Sequence, residues 1–305
     1  MAEYNGSRGT VTVAAMQTTP VFLDRDATVE HLVGEIGRAS AAGARLIVFP
    51  ESIVPGYPDW VWRTPAWSDG AWYARLHANA VDVPGLATDR LGEAARDAGA
   101  WVAVGVTERT PSDTLYNSIV YIDPAGHVAA VHRKLVPTGG ERTVWGHAPA
   151  AQPAVVDTTF GRVGGLICWE NLMPLARMAV YQQHVDIYIA PTWDSSDAWL
   201  SSLRHIAREG RIFVIGTNSC LRGSDVPRHL DGAADIYGGD EDWMSQGNTA
   251  IIGPNGDVLA GPLTGTAGML VATLDLDMIA PQRREFDAVG HYSRPDAYRL
   301  VTPGG

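Results

Sequence analysis

The sequence has few cysteines, no long apolar run and no basic cluster, and each absence excludes a class of protein. Its two cysteines, Cys168 and Cys220, lie 52 positions apart, which fits neither a disulfide framework nor a CxxC pair and indicates a reducing, cytoplasmic environment. No run of about 18 apolar residues is present, so we expect no transmembrane helix and no membrane partner. The polar segment Met1–Thr10 lacks the apolar core of a signal peptide. The formal net charge of −11 argues against nucleic acid as a partner.

Length and composition are those of a globular protein. The chain has 305 residues, of which 46% are hydrophobic and 19% charged, and no repeat or low-complexity linker divides it. A chain of this size buries about three-quarters of its unfolded surface. We therefore expect a flexible N-terminus over residues 1–10, one domain over residues 11–300 and a short tail over residues 301–305.

Predicted strands and helices alternate along this domain. Short apolar runs bounded by turn residues predict about ten strands, and apolar residues at helical spacing predict four or more helices. Two hairpin signals and several crossover connections indicate mixed sheets with helices outside them. The segments 57–84 and 221–243 fit no regular element, and loops of this length are usually functional or interface-forming. The strands are predicted at 11–16, 46–49, 101–106, 118–122, 128–133, 163–167, 187–190, 212–216, 250–252, 258–259 and 269–274, and the helices at 27–42, 86–98, 174–183 and 197–209.

Cys168 lies where a buried strand gives way to a turn before a helix. Such a turn lifts the sulfur out of the sheet, where nearby amide N–H groups can lower the pKa of the thiol and bind developing negative charge. The polar residues Glu170 and Asn171 follow at once. The alternative is a buried structural cysteine, because free cysteine packs as a small hydrophobic residue.

Glu51 and Lys134 occupy similar positions at the ends of other predicted strands. Glu51 directly follows the apolar run 46–50, and burying a carboxylate there is costly unless it is paired. Lys134 ends the run 128–134. For both residues the alternative is a charged group that faces water.

Other catalytic and cofactor motifs are absent from the sequence. The histidines show no metal-ligand spacing, and neither HExxH nor a Cys-His finger occurs. No GxGxxG follows a strand, no P-loop is present, and no GxSxG marks a serine nucleophile. We therefore expect no metal and no cofactor.

Taken together, the three strand-end residues resemble the Glu-Lys-Cys signature of the nitrilase (carbon–nitrogen hydrolase) superfamily. The resemblance extends from about residue 11 to residue 300. The segment Cys168-Trp169-Glu170-Asn171 is similar to the form found in the nitrilase branch, whereas many amidase branches have Cys-Tyr-Asp at this place. The matching segments, in the family's order, are Phe49-Pro50-Glu51, Arg133-Lys134-Leu135, Glu141-Arg142, Trp145-Gly146, Ile167-Cys168-Trp169-Glu170, Ala190-Pro191-Thr192-Trp193 and 290–296.

This resemblance implies a fold and an assembly. The fold would be a four-layer α-β-β-α sandwich in which two mixed sheets are covered by outer helices. Subunits would pair through outer helices near the nucleophile, so the partners expected are a small-molecule nitrile and further copies of the chain, as a homodimer or a larger homo-oligomer. Because the C-terminal region is short, we expect a dimer rather than a long filament.

The resemblance also implies a mechanism. Cys168 would attack the nitrile carbon and form a covalent thioimidate, and later a thioester, on its sulfur. Glu51 would act as general acid and base, and Lys134 would stabilise charge in the tetrahedral intermediates. Glu141, seven residues past the lysine, would orient Lys134.

Four aromatic residues near these positions are candidates for substrate binding, with ordinary packing as the alternative for each. An aromatic pocket would accept apolar aliphatic or aromatic nitriles. The segment 147–150 replaces a Gly-Asp-Gly-Ser-like run that is common in nitrilases, and we expect it near the mouth of the site. The candidates are Tyr57, Trp145, Trp169 and Trp193.

Several other functions fit the same residues. An amidase of the same superfamily would use the same three residues, and cyanide hydrolysis would suit a small pocket. Amide would be released if the first tetrahedral intermediate expelled sulfur instead of ammonia. From another class, Cys168 could be a redox-sensing thiol if Cys220 lay near it. The chain could also be an inactive scaffold that binds a partner, but an inactive protein would have no chemical need to retain Glu51, Lys134 and Cys168.

Overall fold

The computed structural model describes residues 7–230, 232–239 and 241–302, and within them it has 14 strands and seven α-helices. The parts of the expected terminal segments at residues 1–6 and 303–305 lie outside this range. The strands are β1 (Thr10–Gln17), β2 (Leu46–Val48), β3 (Val81–Asp82), β4 (Trp101–Arg109), β5 (Leu115–Ile122), β6 (Val128–Arg133), β7 (Val155–Thr158), β8 (Gly161–Gly165), β9 (Ile187–Thr192), β10 (Phe213–Asn218), β11 (Cys220–Arg222), β12 (Trp243–Ile252), β13 (Val258–Thr264) and β14 (Gly268–Asp275). The α-helices are α1 (Arg25–Ala41), α2 (Gly70–Ala78), α3 (Leu86–Ala98), α4 (Pro174–Tyr181), α5 (Asp197–Gly210), α6 (Ala233–Tyr237) and α7 (Ile279–Glu285).

The strands form two mixed sheets. The first sheet has the order β14-β1-β2-β4-β5-β6, with β3 paired to β4. The second has the order β11-β12-β10-β9-β8-β7, with β13 paired to β12. Strands β1, β2, β3 and β4 run parallel in the first sheet, as do β8, β9 and β10 in the second, and the remaining pairs are antiparallel.

Alternating side chains on each strand build the layers of the sandwich. In β1, Val13 and Ala15 point toward the second sheet and pack with residues such as Phe213 of β10. Ala14 and Met16 point the other way, into a core shared with the outer helices α1 and α3. Because both faces of the strand are buried over residues 13–16, this part of its sequence is a continuous apolar run. The expected four-layer α-β-β-α sandwich is confirmed.

Helices α1 and α3 cover the outer face of the first sheet, and helices α4 and α5 cover that of the second, each through an apolar stripe. In α1 the buried residues Leu32 and Ile36 are four positions apart and therefore lie on one face. In α5, Leu203 and Ile206 pack against the outer face of the second sheet. Helix α3 is followed by Gly99, whose φ of 59° is the left-handed conformation that favours glycine at a helix end. No helix in the described ranges is both long and apolar enough to cross a membrane.

The two segments expected to lack regular structure contain short elements, so that expectation was wrong. Segment 57–84 includes α2, whose buried Trp72 and Leu76 are four residues apart, and the two-residue strand β3. Segment 221–243 includes most of β11 and the helix α6. Three short strands, β3, β7 and β11, were missed, because two to four residues are too few to show an alternating pattern. The predicted count of about ten strands was therefore too low.

Strand direction brings the carboxyl ends of several strands to one edge of the sandwich. In the first sheet β2 and β4 are parallel, and two antiparallel steps through β5 return β6 to the same direction. In the second sheet β8 and β9 are parallel. The residues that follow β2, β6 and β8 are the strand-end residues singled out from the sequence.

Candidate active site

Cys168 lies in a strained turn after β8. It begins a 3₁₀ turn, Cys168–Leu172, and its φ is +50°, in the left-handed region that non-glycine residues rarely adopt. The Asn171 side chain holds this turn, because its Nδ2 donates to the carbonyl oxygens of Cys168 (2.8 Å) and Leu166 (2.9 Å). Tyr188 donates to Asn171 Oδ1 at 2.7 Å, so both ends of the amide are bonded. The turn therefore presents the sulfur at the sheet edge while keeping it 5% exposed.

Glu51 is fully buried, so the alternative in which it faces water is wrong. Its Oε1 accepts hydrogen bonds from Lys134 Nζ (2.8 Å) and from Asn117 Nδ2 (2.7 Å). Its Oε2 is buried and has no hydrogen-bond partner in the described part of the chain. One oxygen of the carboxylate is thus held in place and the other is left available to take a proton.

Lys134 is also fully buried, which excludes a solvated charge. Its ammonium lies between two carboxylates, donating to Glu51 Oε1 and, at 2.7 Å, to Glu141 Oε2. Glu141 Oε2 also accepts from the Thr138 N–H at 2.7 Å, and the Lys134 N–H donates to the Asn117 carbonyl oxygen at 2.8 Å. Both side-chain and backbone contacts therefore fix the position of the lysine.

Burial and charge set the protonation states of this group. Burial, with the nearby Glu51 carboxylate, raises the pKa of the Cys168 thiol to about 12, so the sulfur rests as a neutral thiol. Burial also raises the pKa of Glu51, and Lys134 opposes this rise. Burial lowers the pKa of Lys134, but Glu51, Cys168 and Glu141 outweigh burial and raise it, so the amine is an ammonium at neutral pH.

Three of the four aromatic candidates form one cluster beside Glu141. The rings of Tyr57 and Trp193 stack at 4.5 Å and 8°, and Trp145 meets Tyr57 edge-on at 5.6 Å. The Tyr57 hydroxyl donates to Glu141 Oε1 at 2.7 Å. Trp169 stands apart: its ring is half exposed, and its Nε1 donates to Asp194 Oδ2 at 2.9 Å.

Two further residues contact this group and were not among the sequence candidates. Thr192 ends β9 and its hydroxyl lies 3.1 Å from Cys168 Sγ. Its strand-end position is the signal that identified Glu51, Lys134 and Cys168, and the same signal could have found it. Asn117, which donates a hydrogen bond to Glu51, lies inside β5, and no comparable sequence signal points to it.

The loop 147–150 and the two cysteines complete the surroundings of the site. In segment 147–150, the Ala148 N–H donates to the Lys134 carbonyl oxygen at 3.3 Å, so this loop packs on the backbone of the lysine. Cys168 and Cys220 are both free thiols. Among the residues described, no group of three or more His, Cys, Asp or Glu side chains is placed to hold a metal ion.

Comparison with known proteins adds sequence relationships to this geometry. The carbon-nitrogen hydrolase family profile matches residues 12–284. An aliphatic nitrilase of Sinorhizobium fredii is 40% identical, over 94% of this chain and 94% of its own length. A bifunctional nitrilase/nitrile hydratase of Nicotiana tabacum is 38% identical, over 97% of this chain and 87% of its own.

Solved structures show the same fold at lower identity. An amidase of the nitrilase superfamily from Nesterenkonia superposes with a TM-score of 0.68 at 22% identity, covering 92% of this chain and 96% of its own. A carbon-nitrogen hydrolase from Helicobacter pylori superposes with a TM-score of 0.74 at 19% identity, covering 95% and 97%. At these identities the structures bear on the fold alone.

Proposed function

We infer the function from the premise that the chain belongs to the carbon–nitrogen hydrolase family and, within it, to the nitrilase branch. The protein is a nitrilase, which hydrolyses an organic nitrile to the carboxylic acid and ammonia. The observation that carries the chemistry is a buried group in which the Cys168 thiol interacts electrostatically with the paired Glu51 carboxylate and Lys134 ammonium, and one carboxylate oxygen is free.

We propose that Cys168 is the nucleophile and Glu51 the base that activates it. A nitrile carbon is weakly electrophilic and needs a strong, soft nucleophile such as a thiolate. Because the resting sulfur is a protonated thiol, its proton must leave as the carbon–sulfur bond forms. The unpartnered Oε2 of Glu51 can accept that proton and pass it to the nitrile nitrogen, which gives the thioimidate. The raised pKa of Glu51 suits a group that both takes and returns protons.

The second half of the reaction uses the same groups. Glu51 activates a water molecule that attacks the thioimidate carbon, and the tetrahedral intermediate expels ammonia to leave a thioester on Cys168. A second water molecule then releases the acid and restores the thiol. Lys134, held as an ammonium, stabilises charge on the nitrogen and then on the oxygen of these intermediates, an effect of roughly 3–4 kcal/mol at comparable sites.

We propose that Glu141 is a positioning residue for Lys134. Its carboxylate holds the ammonium from the side opposite Glu51 and balances its charge in a buried site. Two carboxylates around one ammonium titrate as a coupled group, so a single residue does not set the pH profile. Glu141→Gln should lower kcat by about 10- to 100-fold, the effect of losing a hydrogen bond to a charged group, and full activity in this variant would remove the role.

The aromatic cluster beside Glu141 is the proposed wall of the substrate pocket. The stacked pair Tyr57 and Trp193, with Trp145 at the edge, supports an apolar wall that would take aliphatic or aromatic nitriles. Trp169 follows the nucleophile directly, but its bond to Asp194 directs its indole toward the turn after β9. Of the four candidates, Trp169 alone lies outside the aromatic cluster beside Glu141.

The decisive experiment offers the purified protein two matched panels, nitriles and the corresponding amides, with Cys168→Ala as the blank. Ammonia, acid and amide are measured in the same samples. Ammonia and acid from nitriles, absent with Cys168→Ala, would support the proposed mechanism. Ammonia from amides alone would make the protein an amidase with the same residues, and equal ammonia from Cys168→Ala would exclude this cysteine as the nucleophile.

We propose further that the enzyme forms a homodimer or a larger homo-oligomer through the outer surface near the nucleophile. Leu172 and Leu175, at 49% and 68% exposure, supply apolar area on that surface. Light scattering of Leu175→Glu, with Leu86→Glu on the exposed start of α3 as the control, tests this. A mass that falls only for Leu175→Glu would support the interface, and an unchanged mass would contradict it.

A reducing compartment such as the cytoplasm suits the proposed chemistry. The nucleophile must remain a free thiol to react, and neither cysteine is paired in a disulfide.

A further inference from the structure

The hydroxyl of Thr192 is oriented toward the nucleophilic sulfur. Thr192 is 1% exposed, and its Oγ1 lies 3.1 Å from Cys168 Sγ. The Asp194 N–H donates to the same oxygen at 2.9 Å. Because that N–H occupies a lone pair of the oxygen, the hydroxyl hydrogen is left to point at the sulfur. In the described part of the chain this is the one hydrogen bond made to Cys168 Sγ.

The turn that follows Thr192 is fixed from several sides. Asp194 Oδ2 accepts from Trp169 Nε1 at 2.9 Å, and Asp194 Oδ1 accepts from the Ser196 N–H at 2.9 Å. Asn248 Nδ2 donates to the Ser195 carbonyl oxygen at 3.1 Å. These contacts hold the Asp194 N–H in place, so the Thr192 hydroxyl has little freedom to turn away from the sulfur.

We propose that Thr192 is a catalytic residue: its hydroxyl donates to the Cys168 sulfur whenever the sulfur carries negative charge, and it thereby favours release of amide over acid at the tetrahedral intermediate. The proposal rests on the nitrilase function proposed above. A donor to the sulfur stabilises the thiolate more than the neutral thiol or thioimidate, because hydrogen bonds to charged acceptors are about twice as strong as neutral ones.

The branch point follows from the bonds that break. Attack of water on the thioimidate gives a carbon bonded to sulfur, oxygen and nitrogen. If the C–N bond breaks, its electron pair leaves with the nitrogen, the hydroxyl proton passes through the base to that nitrogen to complete ammonia, and a thioester remains. If the C–S bond breaks, its electron pair goes to sulfur as a thiolate, the hydroxyl proton again passes to the base, and the amide is released. Only the second path makes a thiolate at this point, so the Thr192 hydroxyl lowers its barrier selectively.

Two variants of Thr192 separate the effect of its hydroxyl from the effect of its branched shape. Thr192→Val keeps the branched shape and removes the donor, whereas Thr192→Ser keeps the donor. Thr249→Val is the matched control, because Thr249 is a buried threonine whose hydroxyl also accepts a backbone N–H, that of Asn218 at 3.0 Å. The thermal unfolding of Thr192→Val and Thr249→Val shows whether the two losses affect folding equally.

The first measurement does not depend on nitrile turnover. The rate at which iodoacetamide alkylates Cys168 is followed against pH, with mass spectrometry to distinguish this residue from Cys220. The charged and titratable groups around the sulfur (Glu51, Lys134, Glu141 and Tyr57) are unchanged in every variant. We expect alkylation of Thr192→Val to slow about tenfold at each pH below the thiol pKa, with Thr192→Ser and Thr249→Val near the parent rate. A parent-like rate in Thr192→Val would overturn the proposal.

The second measurement is the ratio of amide to acid formed from a nitrile that the parent enzyme hydrolyses. We expect this ratio to fall about tenfold in Thr192→Val and to return toward the parent value in Thr192→Ser. A ratio that is unchanged or higher in Thr192→Val, despite slower alkylation, would overturn the effect on branching. If the parent released no ammonia from any nitrile, the nitrilase function itself would fail, and the alkylation rates would still decide whether Thr192 acts on the sulfur.

Discussion

Whether a buried polar atom is hydrogen-bonded decides how much its side chain contributes to folding stability, and two tyrosines show the contrast. The Tyr57 hydroxyl donates to Glu141 and accepts from Trp62 Nε1 at 3.1 Å. The Tyr121 hydroxyl is buried with no hydrogen-bond partner in the described residues. Burial, reinforced by Glu141, raises the pKa of Tyr57 well above its usual value, so Tyr57 remains a donor at any working pH.

Replacing each tyrosine with phenylalanine should therefore give different results. Tyr57→Phe should lower the free energy of unfolding by about 1–3 kcal/mol and reduce kcat, because Glu141 and Trp62 lose a partner. Tyr121→Phe should leave stability unchanged or slightly higher, because it removes an unsatisfied polar group. Urea unfolding of both variants, with kcat for Tyr57→Phe, measures this. Equal losses in the two variants would contradict the role given to the Tyr57 hydroxyl.

The sequence predicted those residues of the proposed site that stand at the ends of predicted strands. Glu51, Lys134 and Cys168 each follow a predicted strand, and Glu141 was added by the family resemblance. Asn117 could not be found in this way, because its contact with Glu51 depends on the order of strands in the folded sheet, where β5 lies between β4 and β6. That contact joins residues 66 positions apart, and nothing near Asn117 in the sequence indicates it.

At the scale of elements, Glu170 connects the two segments that bear the lysine and the cysteine. Its Oε1 accepts from the Leu135 N–H at 2.6 Å, and its Oε2 accepts from the Ile167 N–H at 2.8 Å. The His132 ring lies 3.0 Å from Oε2. Burial alone would raise the pKa of Glu170, but His132 and the two N–H groups outweigh burial and lower it.

The sign of the pH effect follows from this lowered pKa. The carboxylate contributes stability above the unfolded pKa of about 4.3, and this contribution is lost as pH falls toward the lower folded value. Glu170→Gln should cost roughly 2–4 kcal/mol at neutral pH, and its difference from the parent should shrink as the pH falls from about 5 to about 3. Urea unfolding across this range, with the exposed Glu30→Gln as a control of much smaller effect, measures it. A difference that stays constant with pH would contradict the assignment.

Close approach of two elements explains why β4 carries a glycine beneath Glu51. A Cβ on Gly105 would lie 2.2 Å from the Pro50 carbonyl oxygen, 2.5 Å from the Ser52 nitrogen and 2.8 Å from the Glu51 Cα. Gly105→Ala should therefore push the Glu51 turn away from the site, costing about 1–3 kcal/mol of stability and on the order of 100-fold in kcat.

A second glycine provides the control for Gly105. Gly34 lies inside α1, and a Cβ added there would have no neighbouring atom within 4 Å. Gly34→Ala should stabilise the protein by about 0.5–1 kcal/mol and leave kcat unchanged, because alanine favours the helix. Thermal unfolding and kcat of both variants test the pair, and a fully active Gly105→Ala would show that the turn can adjust.

Element boundaries were easiest to predict where turn residues mark them. Helix α3 ends at Ala98, as predicted, because Gly99 follows it, and the hairpin after β5 forms around Asp123–Gly126. Strand β12 was predicted as only 250–252, yet it begins at Trp243. Its first half mixes Trp243 and Met244 with polar residues and shows no apolar run, so its strand structure depends on pairing with β11 rather than on an apolar pattern.

At the scale of the whole molecule, the proposed active site lies where the two sheets meet. Glu51 and Lys134 follow strands of the first sheet, whereas Cys168 and Thr192 belong to the second. The order of strands and helices in the sequence is compatible with this sandwich but does not distinguish it from other mixed α/β folds. The packing of one sheet on the other therefore had to come from the family resemblance, because the contacts between sheets join residues distant in sequence.

This arrangement predicts that the core between the sheets controls catalysis and the outer core does not. Ile215 of β10 packs between the sheets, and Ile206 of α5 packs between that helix and the second sheet. Ile215→Ala and Ile206→Ala should each cost about 2–5 kcal/mol, because both side chains are fully buried. Only Ile215→Ala should also lower kcat, because collapse around its cavity changes the spacing between the Glu51 and Cys168 sides of the site.

The measurement compares the two variants under conditions where both are folded. Urea unfolding first establishes that their losses of stability are similar, and kcat is then measured well below either unfolding transition. We expect Ile206→Ala to stay within about twofold of the parent and Ile215→Ala to fall about tenfold or more, since misplacement by about 1 Å can cost 100-fold. If the two variants lost kcat equally, catalysis would depend on overall stability, and the spacing of the sheets would have no separate effect on the site.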